Sequence, residues 1–442
     1  MSRTDIIVAP ATALGGAIAV VRMSGEGSVA CCDGVFRGRI SLAEAKSHTI
    51  HYGTICDGER VVDDVVVAVF RAPHSYTGEE SVEISIHGSR YIAQEVIRLL
   101  CDRGARMAEA GEFSQRALAA GRIDLSQAEA VADIIAAESR AAHAVAATQM
   151  RGGYSELLDR LREELLDITT LLELELDFSE EDVEFADRAR LREMLEKTDS
   201  AVARLMESFK VGNAIREGVS VAIVGRPNVG KSTLLNALVG DDRAMVSDIA
   251  GTTRDTIEES VVIDDIKFRF VDTAGLHDTD DRLEKMGIER TERAMRQAQI
   301  VIYMVEPSER EIMLPQVENE QQLILVVNKM DTTDRRDVEG AIYISAREGE
   351  GIDALRQALR ATVDTEGLYR GEVVVSNMRH FEALRHAHTS LQAAVEALDM
   401  GVSEELLSED IRSAINSLAE ITGKITSEDI LKNVFSRFCI GK

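Results

Sequence analysis

The chain has 442 residues, which is enough for two or three domains. Its 50 basic and 77 acidic side chains give a formal net charge of −27, and that charge would repel a nucleic acid backbone. An RNA partner would therefore need a local basic patch on the chain or a second, basic protein. The five cysteines are an odd number without metal-ligand spacing, which disfavours a disulfide scaffold or a zinc site. Since no apolar run approaches the length of a membrane span, we expect a cytoplasmic protein without stable membrane insertion.

Apolar periodicity divides the chain into four segments. Residues 1–117 mix short β-rich runs with turns, which predicts an α+β domain. Residues 118–214 and 376–442 have the periodicity of helices, and residues 215–375 alternate strands and helices. The simplest topology is one helical domain whose two halves flank an inserted α/β nucleotide-binding domain. Within residues 1–117, the predicted strands are Ile6 to Ala9, Ala17 to Met23, Val61 to Phe70 and Ser81 to His87, and the predicted helix is Arg90 to Cys101.

In the inserted domain, the stretch from Gly225 to Thr233 reads GRPNVGKST. It lies between the apolar run VSVAIV and a short helical run, and this is the context in which G-x4-G-K-[ST] forms a P-loop. In such a loop, Lys231 contacts the β and γ phosphate oxygens, and Ser232 offers its hydroxyl to Mg²⁺. The residues predicted to bind the phosphates are Asn228, Val229, Gly230, Lys231, Ser232 and Thr233.

Three further motifs follow in the order expected of a Ras-like GTPase, each after an apolar run. DTAG follows FRFV, and its aspartate could hold Mg²⁺ through water while Gly275 senses the γ-phosphate. NKMD follows LILVV, and Asp331 could accept the N1–H and the amino group of guanine, a donor pair that adenine lacks. SAREG follows AIYI, where a backbone N–H could meet the guanine oxygen. These motifs add the predicted GTP contacts Asp272, Thr273, Ala274, Gly275, Asn328, Lys329, Asp331, Ser345 and Ala346.

Leu276 occupies the position in which Ras-like GTPases place a water-orienting glutamine, so hydrolysis needs help from other residues. The Asn228 amide oxygen could bind a monovalent cation that supplies the charge of an arginine finger. The loop SDIAGTTRD could complete that cation site with its carbonyls, and its Thr252 or Thr253 could reach Mg²⁺. Glu284 lies in the acidic segment HDTDDRLEKMG and has two interpretations, a residue that positions the attacking water or a solvated helix residue.

These motifs, and others spread along the chain, resemble those of the tRNA modification GTPase family MnmE, also called TrmE. Outside the nucleotide motifs, the resemblance rests on DIIVAPAT, VVRMSG, SYTGEESVEISIHG, AGEFSQRALAAGRIDLSQAEAVADII and the C-terminal FCIGK. It covers essentially the whole chain, whereas GTPases of ribosome assembly or iron transport share only the nucleotide motifs. The resemblance implies an α+β folate-binding and dimerisation domain, a helical domain and an inserted Ras-like GTPase domain.

The resemblance also implies ligands for particular residues. Glu284 matches a glutamate that positions water, and potassium is implied at Asn228, Ser247, Ile249 and Thr252. Magnesium is implied at Ser232 and Thr253. A 5-formyl- or 5,10-methylene-tetrahydrofolate is implied at Arg22, Glu83, Arg122 and Lys442. Arg122 departs from the lysine that is common at its position, and the planar fork of arginine is not equivalent to the point charge of lysine.

The activity implied by the resemblance is the addition of an aminomethyl or carboxymethylaminomethyl group to C5 of the wobble uridine of certain tRNAs. A GTP-hydrolysing homodimer would act with the FAD-dependent protein MnmG in a heterotetramer, and the folate would supply the one-carbon unit. A GTP-gated RNA or ribosome assembly factor without modification chemistry is the alternative. Cys439 also has two interpretations: a mobile thiol, activated by Lys442, that takes part in the modification, or a buried structural cysteine.

Overall fold

The structure is a computed structural model, and it describes residues 5–177, 188–240, 259–271, 292–309, 312–318, 321–332, 338–363, 372–436, 438 and 441. The chain divides into two compact units. The first comprises Met1–Ala132, Met150–Arg160 and Leu418–Lys442, and the second comprises Asp133–Gln149 and Leu161–Ser417. The four-part domain division drawn from the sequence stays a prediction. None of the described helices is both long enough and apolar enough to cross a membrane.

The described strands form two sheets. They are β1 (Ile7–Pro10), β2 (Ile18–Ser24), β3 (Phe36–Gly38), β4 (Thr49–Asp57), β5 (Arg60–Phe70), β6 (Ser81–His87), β7 (Arg106–Met107), β8 (Val219–Gly225), β9 (Glu259–Ile263), β10 (Ile266–Phe270), β11 (Ile300–Val305), β12 (Gln322–Val327) and β13 (Ile342–Tyr343). The first sheet has the strand order β3-β4-β5-β6-β2-β1-β7, and the second has the order β13-β12-β11-β8-β10-β9.

The described helices are distributed along the whole chain. They are α1 (Ser28–Asp33), α2 (Arg90–Cys101), α3 (Glu112–Ala119), α4 (Leu125–Ala136), α5 (Arg140–Met150), α6 (Gly153–Asp177), α7 (Arg188–Glu217), α8 (Lys231–Val239), α9 (Ile352–Ala361), α10 (Met378–Asp399), α11 (Glu404–Thr422) and α12 (Glu428–Phe435). A 3₁₀ turn spans Leu42–Glu44, and residues 292–297 are also helical. The mixture of sheets and helices confirms the predicted fold class.

The seven-stranded sheet of the first unit has one covered face and one exposed face. In β5, Val65, Val67 and Val69 are buried while Val66 is 39% exposed, which is the alternation of a half-covered strand. α2 packs on the covered face. The residues of α2 that are buried there recur at helical spacing, as expected for one face of a helix. The four strands and the helix predicted in this region are confirmed, with bounds that differ by at most one residue.

Three strands of this sheet, β3, β4 and β7, are absent from the predicted set. In β4, Gly53 interrupts the run of strand-forming residues, and the local sequence alone would suggest a turn there. The structure requires glycine there for another reason, since a Cβ on Gly53 would lie under 3.0 Å from the Phe36 ring and from the Arg37 carbonyl oxygen. The neighbouring strand packs over this position, and a local pattern does not reveal that close approach.

The C-terminal residues pack within the first unit. The Phe435 and Phe438 rings lie 5.2 Å apart between centroids, and both join the apolar cluster that contains Leu125. Gly441 approaches the first strand so closely that a Cβ on it would lie under 3.0 Å from the Pro10 carbonyl oxygen. The described part of the chain end is therefore held against β1.

Long helices of the second unit confirm the predicted helical segments. Along α10, Ala383, Ala387, Leu391, Ala394 and Leu398 are buried at intervals of three or four residues, as expected for one face of a helix. α10 packs on α7, where the Phe209 and Phe381 rings stack with centroids 4.5 Å apart. The two helices come from opposite sides of the α/β segment in sequence, as the inserted topology predicts.

The six-stranded sheet of the second unit confirms the predicted α/β fold. All neighbouring strands are parallel except β9 and β10. β8 is buried on both faces, because Val221 and Ile223 face one core cluster while Ala222 and Val224 face another. Burial on both faces explains why its sequence is a continuous apolar run rather than an alternating one.

Candidate functional site

Three motif segments meet at one edge of the six-stranded sheet. The carboxyl ends of parallel strands lie at the same edge, so the loops after β8, β11, β12 and β13 are neighbours. The P-loop follows β8, NKMD follows β12 and SAREG follows β13. β11 lies between β8 and β12, so the loop that follows it, residues 306–309, is placed between the phosphate and guanine motifs. This is the edge at which α/β sheets bind ligands.

The P-loop requires glycine at both ends. At Gly225, a Cβ would lie under 3.0 Å from the Met304 carbonyl oxygen, because the end of β8 runs close beside β11. Gly230 has a φ of 103°, and a Cβ there would lie under 3.0 Å from Nδ2 of Asn328. Between them, Asn228 has a φ of 62° and is exposed. The loop therefore has the backbone freedom and the close approaches of a phosphate cradle.

α8 begins at Lys231, directly after Gly230. The Lys231 ammonium donates hydrogen bonds to the carbonyl oxygens of Gly225 and Arg226, both at 3.0 Å. Burial lowers the pKa of Lys231 below its usual value. Because Ser232 is in the first turn of this helix, its hydroxyl lies beside the N–H groups and the positive end of the helix dipole. An anion at this position would meet both the ammonium and the helix N-terminus.

Asn328 joins the P-loop to the SAREG segment. The residue is 2% exposed. Its amide nitrogen donates to the Val229 carbonyl oxygen at 2.7 Å, and its amide oxygen accepts the Ala346 N–H at 3.0 Å. Three residues predicted to contact GTP are thus brought together, and both ends of the Asn328 amide are used in holding two loops.

The Asp331 carboxylate lies on the exposed side of this junction. Ser345 donates its hydroxyl to Oδ1 of Asp331 at 2.8 Å, and this hydrogen bond is the first cause that holds the pKa of Asp331 below its usual value. An ionised carboxylate can accept the two donors that guanine presents. The Ser345 N–H donates to the Glu350 carbonyl oxygen at 3.0 Å, so a guanine oxygen would have to use another N–H of this segment.

Two glutamates that the sequence analysis did not single out lie in the loop after β11. Glu306 forms an ion pair with Lys329 of NKMD. The Glu309 carboxylate lies 3.5 Å from Nε of Arg226 in the P-loop. The one sequence feature that could have indicated them is their position directly after a strand that ends at the ligand-binding edge.

Several predicted site residues lie outside the described residues, and their roles stay predictions. They are Ser247, Ile249, Thr252 and Thr253 of the cation sites, Asp272, Thr273, Ala274 and Gly275 of DTAG, Glu284, and the C-terminal Cys439 and Lys442.

In the first unit, two of the predicted folate residues form a cross-strand pair. Arg22 on β2 lies opposite Glu83 on β6, and its Nε donates to Oε1 of Glu83 at 2.9 Å. The guanidinium carbon of Arg22 lies 5.7 Å from the ring centroid of Tyr76 and 5.8 Å from that of Phe113. Both distances are within the range of cation–π contacts. The Arg22 guanidinium is therefore held by one carboxylate and two aromatic rings.

Arg122 lies beside the loop that carries Tyr76. A Cβ on Gly78 would lie 3.5 Å from Cγ of Arg122. A second arginine also holds this loop, since the buried Arg116 forms an ion pair with Glu79 at 3.2 Å. Arg22 and Arg122 thus border the same loop.

A P-loop after a buried parallel strand, joined through Asn328 to the guanine motifs at one sheet edge, defines the chain as a P-loop GTPase. The family model for the MnmE helical domain matches residues 125–439, and the model for the GTP-binding protein TrmE N-terminus matches residues 6–122. The chain therefore belongs to the tRNA modification GTPase family MnmE, which confirms the resemblance drawn from the sequence.

Full-length relatives agree with the family models. The chain is 47% identical over 463 residues to the tRNA modification GTPase MnmE of Bacteroides fragilis, with 99% of each chain covered. It is 46% identical over 466 residues to that of Flavobacterium johnsoniae, with 100% of each chain covered. Among solved structures, the G domain of the T. maritima FeoB iron transporter matches 32% of this chain and 97% of that chain at 22% identity. The TM-score of this match is 0.24.

Proposed function

We propose that the chain is a potassium-activated GTPase that acts with an FAD-dependent partner, MnmG, on the wobble uridine of certain tRNAs. The product would carry an aminomethyl or carboxymethylaminomethyl group at C5. Family membership supports tRNA modification, and the net charge of −27 supports a basic partner that carries much of the tRNA binding. The observation that carries the GTPase part is the Asn328 junction between the phosphate and guanine segments. A cytoplasmic location is part of the same proposal.

In the proposed complex, GTP lies along the carboxyl edge of the sheet with its phosphates at the P-loop and its base at Asp331. The Lys231 ammonium now binds two carbonyl oxygens, and phosphate oxygens would replace them as stronger, charged acceptors. Because burial lowers the pKa of Lys231, a bound phosphate would raise that pKa again. The exposed Asp331 carboxylate would accept the donor pair of guanine.

The described residues fit the two cations that the family implies. Ser232 presents a hydroxyl oxygen at the start of α8, which is a ligand type that Mg²⁺ accepts. The exposed Asn228 presents an amide oxygen at the P-loop for K⁺. When bound, these cations would offset the negative charge that develops on the phosphates. The further proposed ligands are Thr253 for Mg²⁺ and Ser247, Ile249 and Thr252 for K⁺, and Glu284 is the proposed water-positioning residue.

GTP hydrolysis in K⁺ and in Na⁺ at matched ionic strength tests this part, since matching separates specific activation from screening. We expect faster turnover in K⁺ and the loss of that difference in Asn228→Ala, with GDP binding nearly normal. Asn236→Ala, an exposed asparagine on α8, is the matched control and should keep the potassium response. Glu284→Ala should slow turnover about 100-fold or more. Equal rates in the two salts would refute potassium activation, and a normal rate in Glu284→Ala would refute its role.

The exposed face of the seven-stranded sheet supports a homodimer. Tyr52 on β4 is 70% exposed and lies opposite Val66 on β5. Ala68, the next residue on this face of β5, lies opposite Glu83, which in turn lies opposite Arg22. Directly opposite residues point to the same side of a sheet, so the apolar surface runs up to the proposed folate residues. A second copy on this face would place a tetrahydrofolate at the edge of the dimer.

A charge introduced into this face tests the dimer. Tyr52→Asp should convert the protein from dimer to monomer in light scattering, because an ionised carboxylate cannot be buried there without a partner. Tyr91→Asp, on α2 and 60% exposed, is the matched control and should stay dimeric. An unchanged mass for Tyr52→Asp would contradict the proposed face.

Folate binding separates the proposed modification enzyme from an assembly factor. The full chain should bind 5-formyl-tetrahydrofolate in calorimetry, and Arg22→Gln should lose most of that affinity because it removes the cation beside Glu83. The proposed chemistry needs the one-carbon unit that such a folate supplies. No binding by the unaltered chain would favour the GTP-gated assembly factor.

We assign Cys439 to the modification step rather than to GTP hydrolysis. Gly441 is held against Pro10, and the preceding residue of β1 lies opposite Arg22, which supports a chain end close to the folate residues. Lys442 would lower the pKa of the thiol and so increase the thiolate fraction. Cys439→Ser should keep GTP hydrolysis and abolish wobble-uridine modification, measured by mass spectrometry of tRNA from cells that carry only the variant. Normal modified uridine would exclude the role, and loss of both activities would favour the structural interpretation.

A further inference from the structure

The loop after β11 contacts the nucleotide-binding loop on each side of it. Glu306 forms an ion pair with Lys329, and Oε2 of Glu309 lies 3.5 Å from Nε of Arg226. The Glu309 side chain is 9% exposed, and a carboxylate this deeply buried needs charged or hydrogen-bonding partners. The two contacts lead to different motifs, one to NKMD and one to the P-loop.

The turn fixes its two carboxylates relative to each other. The Glu309 N–H donates to the Glu306 carbonyl oxygen at 3.0 Å, and Oε1 of Glu309 accepts the Glu306 N–H at 3.2 Å. One carboxylate oxygen of Glu309 thus closes the turn while the other faces Arg226. If either glutamate moved, the hydrogen bonds within the turn would be disturbed, and with them the Glu306–Lys329 and Glu309–Arg226 contacts.

Lys329 is constrained in its backbone as well as in its side chain. Its φ of 66° lies in the left-handed region, which a lysine occupies only when its surroundings enforce it. The Thr332 N–H donates to the Lys329 carbonyl oxygen at 3.1 Å, and the Met330 N–H donates to the Ile344 carbonyl oxygen at 3.2 Å. Glu306 adds the constraint on the side chain, next to the residue that joins the loops, Asn328.

We propose that the turn of residues 306–309 positions the guanine-nucleotide site by holding Lys329 and Arg226 at a set spacing. Glu306 and Glu309 are positioning residues, because they act through the two basic side chains and not on the nucleotide itself. The inference rests on the proposed binding of GTP at this edge. Loops held in their binding conformation release a ligand slowly, so the turn acts on nucleotide dissociation and not on the hydrolysis of bound GTP.

Dissociation of a fluorescent GDP analogue from the full chain measures this effect. Glu306→Gln removes the charge at nearly constant shape and should speed dissociation about fivefold, the size expected for a partly exposed ion pair. Glu309→Gln should act in the same direction, and Glu306→Asp should restore part of the loss. The change in turnover at saturating GTP should be smaller than the change in the GDP dissociation rate. Glu292→Gln, an exposed glutamate paired with Arg296, is the matched control and should change neither rate.

The outcomes separate this inference from the function on which it rests. If the unaltered chain binds GDP and the Glu306→Gln and Glu309→Gln variants release it at the normal rate, the inference is wrong and the proposed function stands. If the unaltered chain binds no guanine nucleotide, the proposed function itself fails. Should Glu306→Gln not fold, Glu309→Gln decides, because it removes the charge of the other carboxylate in the turn. A normal dissociation rate in that variant, or a loss confined to turnover, would overturn the positioning role.

Discussion

Replacing Gly230 by alanine tests whether the P-loop and the Asn328 junction depend on one close contact. The substitution would carry two free-energy costs, one from the backbone conformation and one from a steric contact, and the two would add. The φ of 103° is a backbone conformation that an L-residue enters at a cost of about 1–2 kcal/mol. In addition, the new Cβ would lie under 3.0 Å from Nδ2 of Asn328, a separation that real Cβ atoms essentially never show.

Asn328 cannot move aside freely, because it is buried and both ends of its amide are hydrogen-bonded. Displacing Nδ2 would break its bond to the Val229 carbonyl oxygen, and a buried polar group left without its partner costs about 1–3 kcal/mol. Gly230→Ala should therefore destabilise the α/β part of the chain by about 2–5 kcal/mol. GDP affinity should fall as well, since the displaced amide also holds Ala346.

Native-state hydrogen exchange measures this loss locally, because the amides of β8 and β11 report the opening of this part of a multidomain protein. Gly340→Ala is the matched control. Its φ is 74° and nothing lies within 4 Å of a Cβ there, so it carries the backbone cost without the steric one. If Gly230→Ala lowers the free energy of opening no more than Gly340→Ala and keeps normal GDP affinity, the coupling to Asn328 is refuted.

Three further predictions concern other described residues. Asp331→Asn should weaken GTP binding and favour xanthine nucleotides, whose extra carbonyl suits an amide donor, and unchanged GTP affinity in filter binding would contradict this. Burial raises the pKa of Glu112, but hydrogen bonds from Arg106, the Glu109 N–H and Arg116 outweigh burial and hold this pKa below its usual value. Its stabilisation is therefore fully present above the usual pKa of a glutamate and is lost as the pH falls through the lowered pKa, so Glu112→Gln should flatten the acid limb of a circular dichroism titration. Tyr76→Ala should weaken folate binding more than Tyr76→Phe, because the ring beside Arg22 is lost; equal affinities in calorimetry would count against that contact.

The parts of the site that the sequence predicts are those whose residue types are limited by local structure or by ligand chemistry. β8 is predicted to within one residue, because a parallel strand buried on both faces gives a continuous apolar run. The P-loop is recognisable because few residue types let a backbone close around phosphates at fixed spacing. Asp331 is recognisable for the same reason, since the donor pair of guanine calls for a carboxylate.

The parts that the sequence does not predict depend on contacts between distant residues. β4 is missed because Gly53 is required by the Phe36 ring of the neighbouring strand, and local reading treats such a glycine as a turn. Glu306 and Glu309 are missed because any pair of residues able to hold Lys329 and Arg226 would serve there. The residue types at these two positions are limited by the geometry of the sheet edge. No fixed spacing of residues in the sequence indicates that geometry.

Asn328 is predicted from its motif, but its role depends on contacts between residues that are distant in sequence. Its place in NKMD is recognisable by pattern, yet the structure uses both ends of its amide within the protein, one on Val229 and one on Ala346. An aspartate of the same shape would lose the donor to the Val229 carbonyl and bring a buried charge, and a leucine would lose both bonds. The asparagine is therefore selected as the one residue of this size that donates to one loop and accepts from the other. We therefore expect Asn328 to contribute to guanine-nucleotide binding by fixing the spacing of those two loops, next to Lys329, on which the proposed role of Glu306 depends.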